Sequence, residues 1–542
     1  MEKGYGKGVF ADIAYGKIYY IEQTIKESAI NCKKSRDERM ADYELSKEKS
    51  LEQLYHITAK LEESNNKEEK EIIEGHVMLI KDVLFYNAVK EKIVLQDMDT
   101  LAAVQKTGSE FAENMRNSGD NYMQERADDI DDITMRLLSN LVDFEQNLPK
   151  FDEPVIIVAD NLLPSVMMQL DKSKTLGIMT KKGSETSHMA IIARSLLLPT
   201  VVGCNLSITK DDNGRFLMVD GIHGECILDP DETEMKNMTA IKAAEENKKL
   251  LLEQLKGKEN ITRDGYQVDV FANIEGVEEV NAALRNDAGG IGLFRSEFLF
   301  LGRNEFPDET EQFSAYKKVV ESMQGKKVVI RTLDIGGDKQ AEYFGIGEEE
   351  NPAMGMRAIR ICLTKPEIFK TQLRAIYRAS IYGNVSIMFP MIISVEEVRK
   401  IKAITEEVKQ ELKAEGIAFK EVELGIMIET PAAVMIAPQL AEMVDFFSVG
   451  TNDLTQYTLA IDRQNEALCD FYNAHHPAIL HMLQMIADAA KQKGIWVGIC
   501  GELAGDKSLT KEFIKMGYSE LSVSPGNILE LRDAIRNMTI KE

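Results

Sequence analysis

The spacing of apolar positions changes several times along this chain, and the changes divide it into segments of different fold. Near the start, GVFADIAYGKIYYIE gathers apolar and aromatic residues into short β-like runs. From about Thr24 to Phe144 the chain is rich in Glu, Lys, Leu and Ile and has no proline. Within it Ile72, Ile73, His76, Leu79 and Ile80 share one face at helical spacing, which predicts an all-helical segment. From Glu153 onward strand-like runs return as VIIVAD, TLGIMT, TVVGC, FLMVDG and ECILD, with helical stretches between them. The predicted arrangement is an α/β domain formed by residues 1–23 and 145–229, with a helical domain, residues 24–144, inserted into it. The opening strands are expected to pair with the sheet of residues 145–229.

Residues 230–260 are charged and helix-prone, with Pro230 near the start and Gly257 near the end, and predict a helical linker, either a lever or a plain spacer. Residues 261–542 carry eight apolar runs at strand–helix–strand intervals: VDVFANI, GGIGLFRS, KVVIRTLD, VSIMFPMI, ELGIMIET, FFSVGTND, WVGICGE and ELSVSP. Eight such strands close a (β/α)8 TIM barrel. The fold class is therefore multidomain α/β, an α/β domain with an inserted all-α bundle followed by a C-terminal barrel.

Two places concentrate chemistry. The first is GSETSHMAIIARSLLLP, where TLGIMT gives way to a helix whose apolar face includes Met189, Ile192 and Leu196. Thr186 or Ser187 is the N-cap candidate, so His188 stands at a helix N-terminus, where unpaired N–H groups and the dipole favour a neutral imidazole carrying an anionic group. The alternative is a histidine that caps or packs.

The second is the rim of the barrel, because barrel active sites are built from the C-terminal tips of different strands. The tips offer Arg295, Arg331, the FPM stretch ending at Met391, Glu429, Asn452 with Asp453, Cys500 with Glu502, and Ser524, with Arg463 just past the sixth strand. Arginine forks grip carboxylate or phosphate in bidentate fashion, unless they serve as ordinary ion-pair residues. Glu429 and Asp453 end adjacent strands, which suits Mg2+, although both carboxylates can instead pair with the arginines. Gly450 allows close backbone approach and Asn452 can donate to a phosphate oxygen. Cys500 can deliver a proton to carbon, act as a nucleophile, or simply be a buried thiol. DIGGDK, with Gly336 and Lys339, is a candidate phosphate cradle, and Arg357 is a further cation without an assigned role.

At 542 residues the chain has room for about three or four domains. A net charge of -24 argues against nucleic-acid backbones and permits steering of a basic protein partner. Six scattered cysteines without C-x-x-C spacing point to a reducing compartment rather than a disulfide framework. No apolar run approaches the roughly 18 residues of a membrane span and MEKGYGKGVF has no signal-peptide core, so a soluble, cytoplasmic protein without membrane insertion is expected.

With these residues in view, the chain resembles, over nearly its whole length, the enzyme I family of the bacterial sugar phosphotransferase system, the phosphoenolpyruvate-protein phosphotransferases. The resemblance is carried by TSHMAIIARSLLLP, GLFRSEFLFLGR, IRTLDIGGDK, FPMIISVEEV, IETPAA, FFSVGTNDLTQYTLAIDR and GICGELAGD. It implies a swivelling phosphohistidine domain with His188 as carrier. It further implies that Arg295, Arg331, Asn452, Asp453 and Arg463 bind phosphoenolpyruvate, that Glu429 and Asp453 hold Mg2+, and that Cys500 protonates the enolpyruvate carbon. The helical domain would dock the histidine-containing phosphocarrier protein, with Glu68, Glu71 and His76 of EEKEIIEGHVMLIKD on or near the docking helix, and the barrel would form a homodimer.

The chain departs from the family in having Gly183, Ser184 and Glu185 where Gly-Gly-Arg is common, and ADIAYG where a Ser-Pro-Gly turn is common. It stops soon after the last barrel helix, which bears on dimer stability. Two other readings compete: a pyruvate-phosphate dikinase or phosphoenolpyruvate synthase relative, and a regulatory binding protein without turnover. The first needs an ATP-binding domain, whereas the N-terminal region is helical and has no Gly-rich nucleotide loop. Intact His188, Glu429, Asp453 and Cys500 speak against the second.

Overall fold

The short apolar runs on either side of the helical segment meet in one sheet. The computed structural model describes residues 2–541 except residues 11, 22–33, 65–66, 117–120, 142–150, 152, 163, 169, 185–186, 302, 337–341, 348 and 464. It divides into two units, Met1–Glu246 and Asn247–Glu542.

In the first unit, β1 (Glu2–Tyr5), β2 (Lys7–Phe10) and β3 (Ile13–Ile21) precede five helices: α1 (Arg36–Ser64), α2 (Lys67–Lys81), α3 (Val83–Val94), α4 (Thr100–Arg116) and α5 (Asn121–Leu141). Then follow β4 (Val155–Ala159), β5 (Thr175–Thr180), α6 (His188–Leu196), β6 (Thr200–Val202), β7 (Phe216–Asp220) and β8 (Glu225–Leu228). The strands form one sheet in the order β1-β8-β7-β3-β4-β5-β6-β2. β1 and β2 are one residue apart in the chain yet sit at opposite ends of that order, so the sheet curls. β3 pairs with β4 in parallel and with β7 antiparallel, as expected for opening strands that complete a later sheet.

The central strand VIIVA is buried on both faces. Ile157 and Ile178 pack with Met189 and Ile192 of α6, while Ile156, Val158 and Met179 face Val201 and Leu217. Each such buried aliphatic side chain contributes roughly 1.5–3 kcal/mol. The inserted helices keep a core of their own, including Tyr43, Leu54, Ile73, Phe85, Val89 and Ile130. The linker helix α7 (Glu232–Glu253) has no buried residue, and its Met238 and Ile241 rest on Ile13, Met218 and Ile227.

The second unit is a closed barrel of β9 (Asp269–Ile274), β10 (Ile291–Arg295), β11 (Lys327–Arg331), β12 (Asn384–Phe389), β13 (Glu423–Ile428), β14 (Phe446–Val449), β15 (Trp496–Ile499) and β16 (Glu520–Val523). All eight expected runs supply these strands, and every neighbouring pair is parallel. Alternation sorts their side chains. Ile426, Ile428, Phe447, Val449 and Ile499 join the large outer core with the helices, while Leu293, Val329, Met388, Met427, Phe446 and Cys500 form the smaller inner one. The tips of the strands are thereby free to carry polar groups.

Candidate active site

His188 is the first residue of α6. Of the two N-cap candidates Ser187 takes the position: its hydroxyl accepts from the Ala190 N–H at 3.3 Å and donates to the Ser184 carbonyl at 2.9 Å. Glu185 and Thr186 lie outside the described residues. Burial of Met189 and Ile192 fixes the helix against the sheet, so its N-terminus and His188 are held at the end of β5. The side chain of His188 lies outside the described residues.

The second cluster lies at the barrel rim, where Arg295, Arg331, Glu429, Asn452, Asp453, Arg463 and Cys500 line one cleft of about 340 Å3. Arg295 and Arg331 end neighbouring strands and are partners in register. Glu429 follows β13, Asn452 and Asp453 lie in the first turn of α8 (Thr451–Leu459) after β14, and Cys500 follows β15. Ser524 is exposed.

Ion pairs hold these groups apart and oriented. Arg331, buried, reaches Glu297 and Asp334, each at 2.8 Å. Arg357 bridges Asp334 at 3.1 Å and Asp453 at 3.3 Å and donates to the Tyr457 hydroxyl at 2.9 Å. Arg463 stands 3.6 Å from the other Asp453 oxygen, and Arg295 contacts Glu275. Asn452 and Glu502 are tied twice, the amide donating at 3.0 Å and the Glu502 N–H returning to the Asn452 oxygen at 3.1 Å. The Nε atoms of Arg331 and Arg357 are buried and have no hydrogen-bond partner among the described residues.

Glu429 is under strain of a different kind. Glu429 is buried and accepts the Met391 N–H at 2.6 Å from a residue with φ of 58°. Burial, with repulsion from Asp453 and Asp334, pushes its carboxyl up to about 8 despite Arg331 and Arg357. A side chain at Gly450 would place its Cβ 2.7 Å from the Glu429 oxygen, so only glycine leaves the carboxylate this position. A buried carboxyl raised in this way, with Asp453 beside it, suits a neighbouring cation. Among the described residues no group of three or more His, Cys, Asp or Glu is placed to hold a metal, and two carboxylates are the set that Mg2+ completes with water and substrate oxygens.

Burial pushes the Cys500 thiol up to about 12, and its Sγ donates to the Val449 carbonyl at 3.6 Å. Raised in this way, the thiol holds its proton at neutral pH. For Arg331, burial works against the charge, but Glu297, Asp334 and Glu429 outweigh it and raise the guanidinium further. Burial, and then the neighbouring Arg331, lowers Arg295.

Gly336, at φ 113°, packs so closely on Arg357 that a Cβ would lie 2.4 Å from the arginine Cβ, and the rest of the candidate cradle from position 337 on lies outside the described residues. Lys339 lies outside the described residues. His76 is fully buried on α2, on the same face as Ile73 and Ile80, and shares a 3.1 Å hydrogen bond with buried Asp129. The side chains of Glu68 and Glu71 lie outside the described residues. Sequence reasoning missed Glu297 and Asp334 and left Arg357 without a role. Their acidic and basic identities were visible, but nothing in their spacing joins position 334 to 357 and 453.

The family described as "PEP-utilising enzyme, PEP-binding domain" matches residues 249–540. "PEP-utilising enzyme, mobile domain" matches residues 151–224 and "PEP-utilising enzyme, N-terminal" residues 5–126. The chain is 40% identical over 536 residues to a phosphoenolpyruvate-protein phosphotransferase of Haemophilus influenzae, covering 98% of this chain and 93% of that one. It is 40% identical over 547 residues to the protein of that name from Bacillus subtilis, covering 100% and 95%. It is also similar to the NMR solution structure of an Enzyme I (nEIt) protein, 31% identical at a TM-score of 0.36, over 45% of this chain and 99% of that one. With three matched segments in order and this identity over nearly its full length, the chain belongs to the phosphoenolpyruvate-protein phosphotransferase family of PEP-utilising enzymes.

Proposed function

We propose that this chain takes the phosphoryl group of phosphoenolpyruvate onto His188, releases pyruvate, and passes the group to a histidine of a small phosphocarrier protein as the first step of sugar uptake. The observation that carries this reading is the rim cleft, where arginines, two carboxylates, an amide and a protonated thiol face one volume. Such a set matches a small trianion that must lose a phosphoryl group at one end and gain a proton at the other.

Arg295, Arg331 and Arg463 grip the carboxylate and phosphate, and Asn452 donates to a phosphate oxygen once it exchanges its Glu502 partner for the ligand. Mg2+ fits Glu429 and Asp453, and bound there it supplies charge neutralisation on the transferring oxygens. The His188 imidazole attacks phosphorus in line, the bond from phosphorus to the enol oxygen breaks, and the arginines stabilise the charge that develops. Cys500 gives its proton to the methylene carbon, which turns the enolate into pyruvate and draws the transfer forward. The imidazole must reach the barrel mouth for this step and the carrier for the next, so movement of the His188 segment belongs to the mechanism.

For the carrier we assign the helical segment, residues 24–144. Met78, Val83, Leu84 and Leu95 of its α2–α3 region are exposed and offer an apolar contact surface. Self-association through residues 261–542 is part of the proposal, and exposed Met435 and Phe471 lie in that unit.

Incubation with labelled phosphoenolpyruvate and Mg2+ tests the reading. Label is expected on the intact chain, chased onto added carrier, and lost in His188→Ala; a His188→Ala protein that still takes label overturns it.

A further inference from the structure

Behind Cys500 the barrel interior holds an acid that the reaction above leaves unused. β15 points Trp496 and Cys500 inward, so Gly498 between them faces inward too. Its missing side chain is what makes room for Glu520: a Cβ at Gly498 would lie 1.8 Å from one Glu520 oxygen, and a Cβ at Gly292 2.5 Å from the other. The carboxyl of Glu520, itself 3% exposed, therefore fills the layer next to Cys500, about 6–7 Å along the strand. Ser448, Gly498 and Glu520 are neighbours in register across three strands.

The Ser448 hydroxyl and the Asn273 side-chain oxygen are among the buried polar atoms near this layer that have no hydrogen-bond partner among the described residues. The amide end of Asn273 donates to the Cys500 carbonyl at 2.9 Å and to the Ser522 carbonyl at 3.2 Å, which holds its oxygen in this region. Orphaned buried groups of this kind are normally satisfied by ordered water. The Ser448 hydroxyl is also close enough to the Cys500 thiol to favour its ionised form.

We propose that Glu520 is the internal proton store that reloads Cys500 after each turnover, relayed by the Ser448 hydroxyl and ordered water. The proposal rests on the reading of Cys500 as the proton donor. In turnover the S–H bond breaks, its proton forms the new C–H bond of pyruvate, and the electron pair stays on sulfur. The Glu520 O–H then breaks, its proton passes along the relay, and the S–H forms again, leaving a carboxylate. Glu520 regains a proton from solvent past Asp269 and Lys327, the charged groups that act on it from the opposite end of the barrel; Arg331 and Glu429 act on the thiol. Burial, opposed by the Ser522 hydroxyl, holds Glu520 up at about 8, below the thiol at about 12, so the acid is loaded at neutral pH and the transfer to thiolate runs downhill.

The test follows pyruvate in the full-length protein with phosphoenolpyruvate, Mg2+ and excess carrier, mixed rapidly. Glu520→Gln is expected to release the first pyruvate per site at the parent rate and later ones at least tenfold more slowly, with Glu520→Asp partly restored and Ser448→Ala slowed in the same phase. Unchanged later turnovers in folded Glu520→Gln overturn the proposal. So does an equal slowing of first and later turnovers, which marks a structural role. Cys500→Ala separates the premises: if it makes pyruvate at the parent rate the donor reading fails, and if it is impaired while Glu520→Gln is not, only the proton store fails.

Discussion

Arg331 is required to do two things that a lysine cannot do at once. Its fork spans Glu297 and Asp334 at once, and the side chain is buried between them. Arg331→Lys keeps the charge but loses the fork, so KM for phosphoenolpyruvate should rise about tenfold or more in steady-state pyruvate assays. Arg357→Lys should behave alike, since Arg357 bridges Asp334 to Asp453. If Arg357→Lys binds substrate as well as the parent, that arginine is only scaffolding. The contrast between these two residues also shows what was readable beforehand. Arg331 stands at a strand tip, and the barrel rule turns a strand tip into a site position. Arg357 lies in a loop far along the chain from its partners, and its placement depends on tertiary packing that no local period encodes.

The elements were legible where hydrophobic period and strand length agreed, as in VIIVA and the eight barrel runs. What was not legible was contact between elements. The Gly-Gly pair after β11 reads as a candidate phosphate loop by composition, and the contact that composition does not show is that Gly336 lets the loop lie directly on Arg357. Gly336→Ala meets both a left-handed backbone at φ 113° and a 2.4 Å contact, so it should cost about 1–3 kcal/mol and raise KM for phosphoenolpyruvate, read by melting and pyruvate kinetics together. A variant that melts lower but binds substrate normally would detach this loop from the site. His76 carries the same lesson in the helical segment, since its spacing placed it correctly on the α2 face but could not say that this face is closed by Asp129. At α6, Ser187→Ala removes the cap and should cost about 1 kcal/mol, with slower label uptake at His188. Ser187→Asp restores a capping acceptor, and if it restores stability but not uptake, the helix end acts on the phosphoryl group as well as on the fold.

For the whole barrel, the buried acids set how stability responds to pH. Burial raises Glu520 from an ordinary 4.5 to about 8 in the folded chain, with the Ser522 hydroxyl and Lys327 opposing and Asp269 assisting. The folded state thus holds a proton that the unfolded state releases at lower pH. Its stabilising contribution is complete below about 4.5 and is lost as pH rises through about 8. Glu429, also raised to about 8, titrates in the same window, so the parent's own pH profile mixes the two. The difference between parent and Glu520→Gln isolates one of them. Trp496, the one tryptophan of the chain, stacks on Phe446 inside the barrel at 4.2 Å between ring centres, so its fluorescence follows this unit alone. Denaturant melts followed at Trp496 should show the parent losing on the order of 3 kcal/mol relative to Glu520→Gln between pH 5 and pH 8. Parallel profiles for the two proteins would mean that Glu520 is already ionised at pH 5. A carboxylate there would have no proton to hand to Cys500, so the stability measurement and the proton-store proposal stand on the same group.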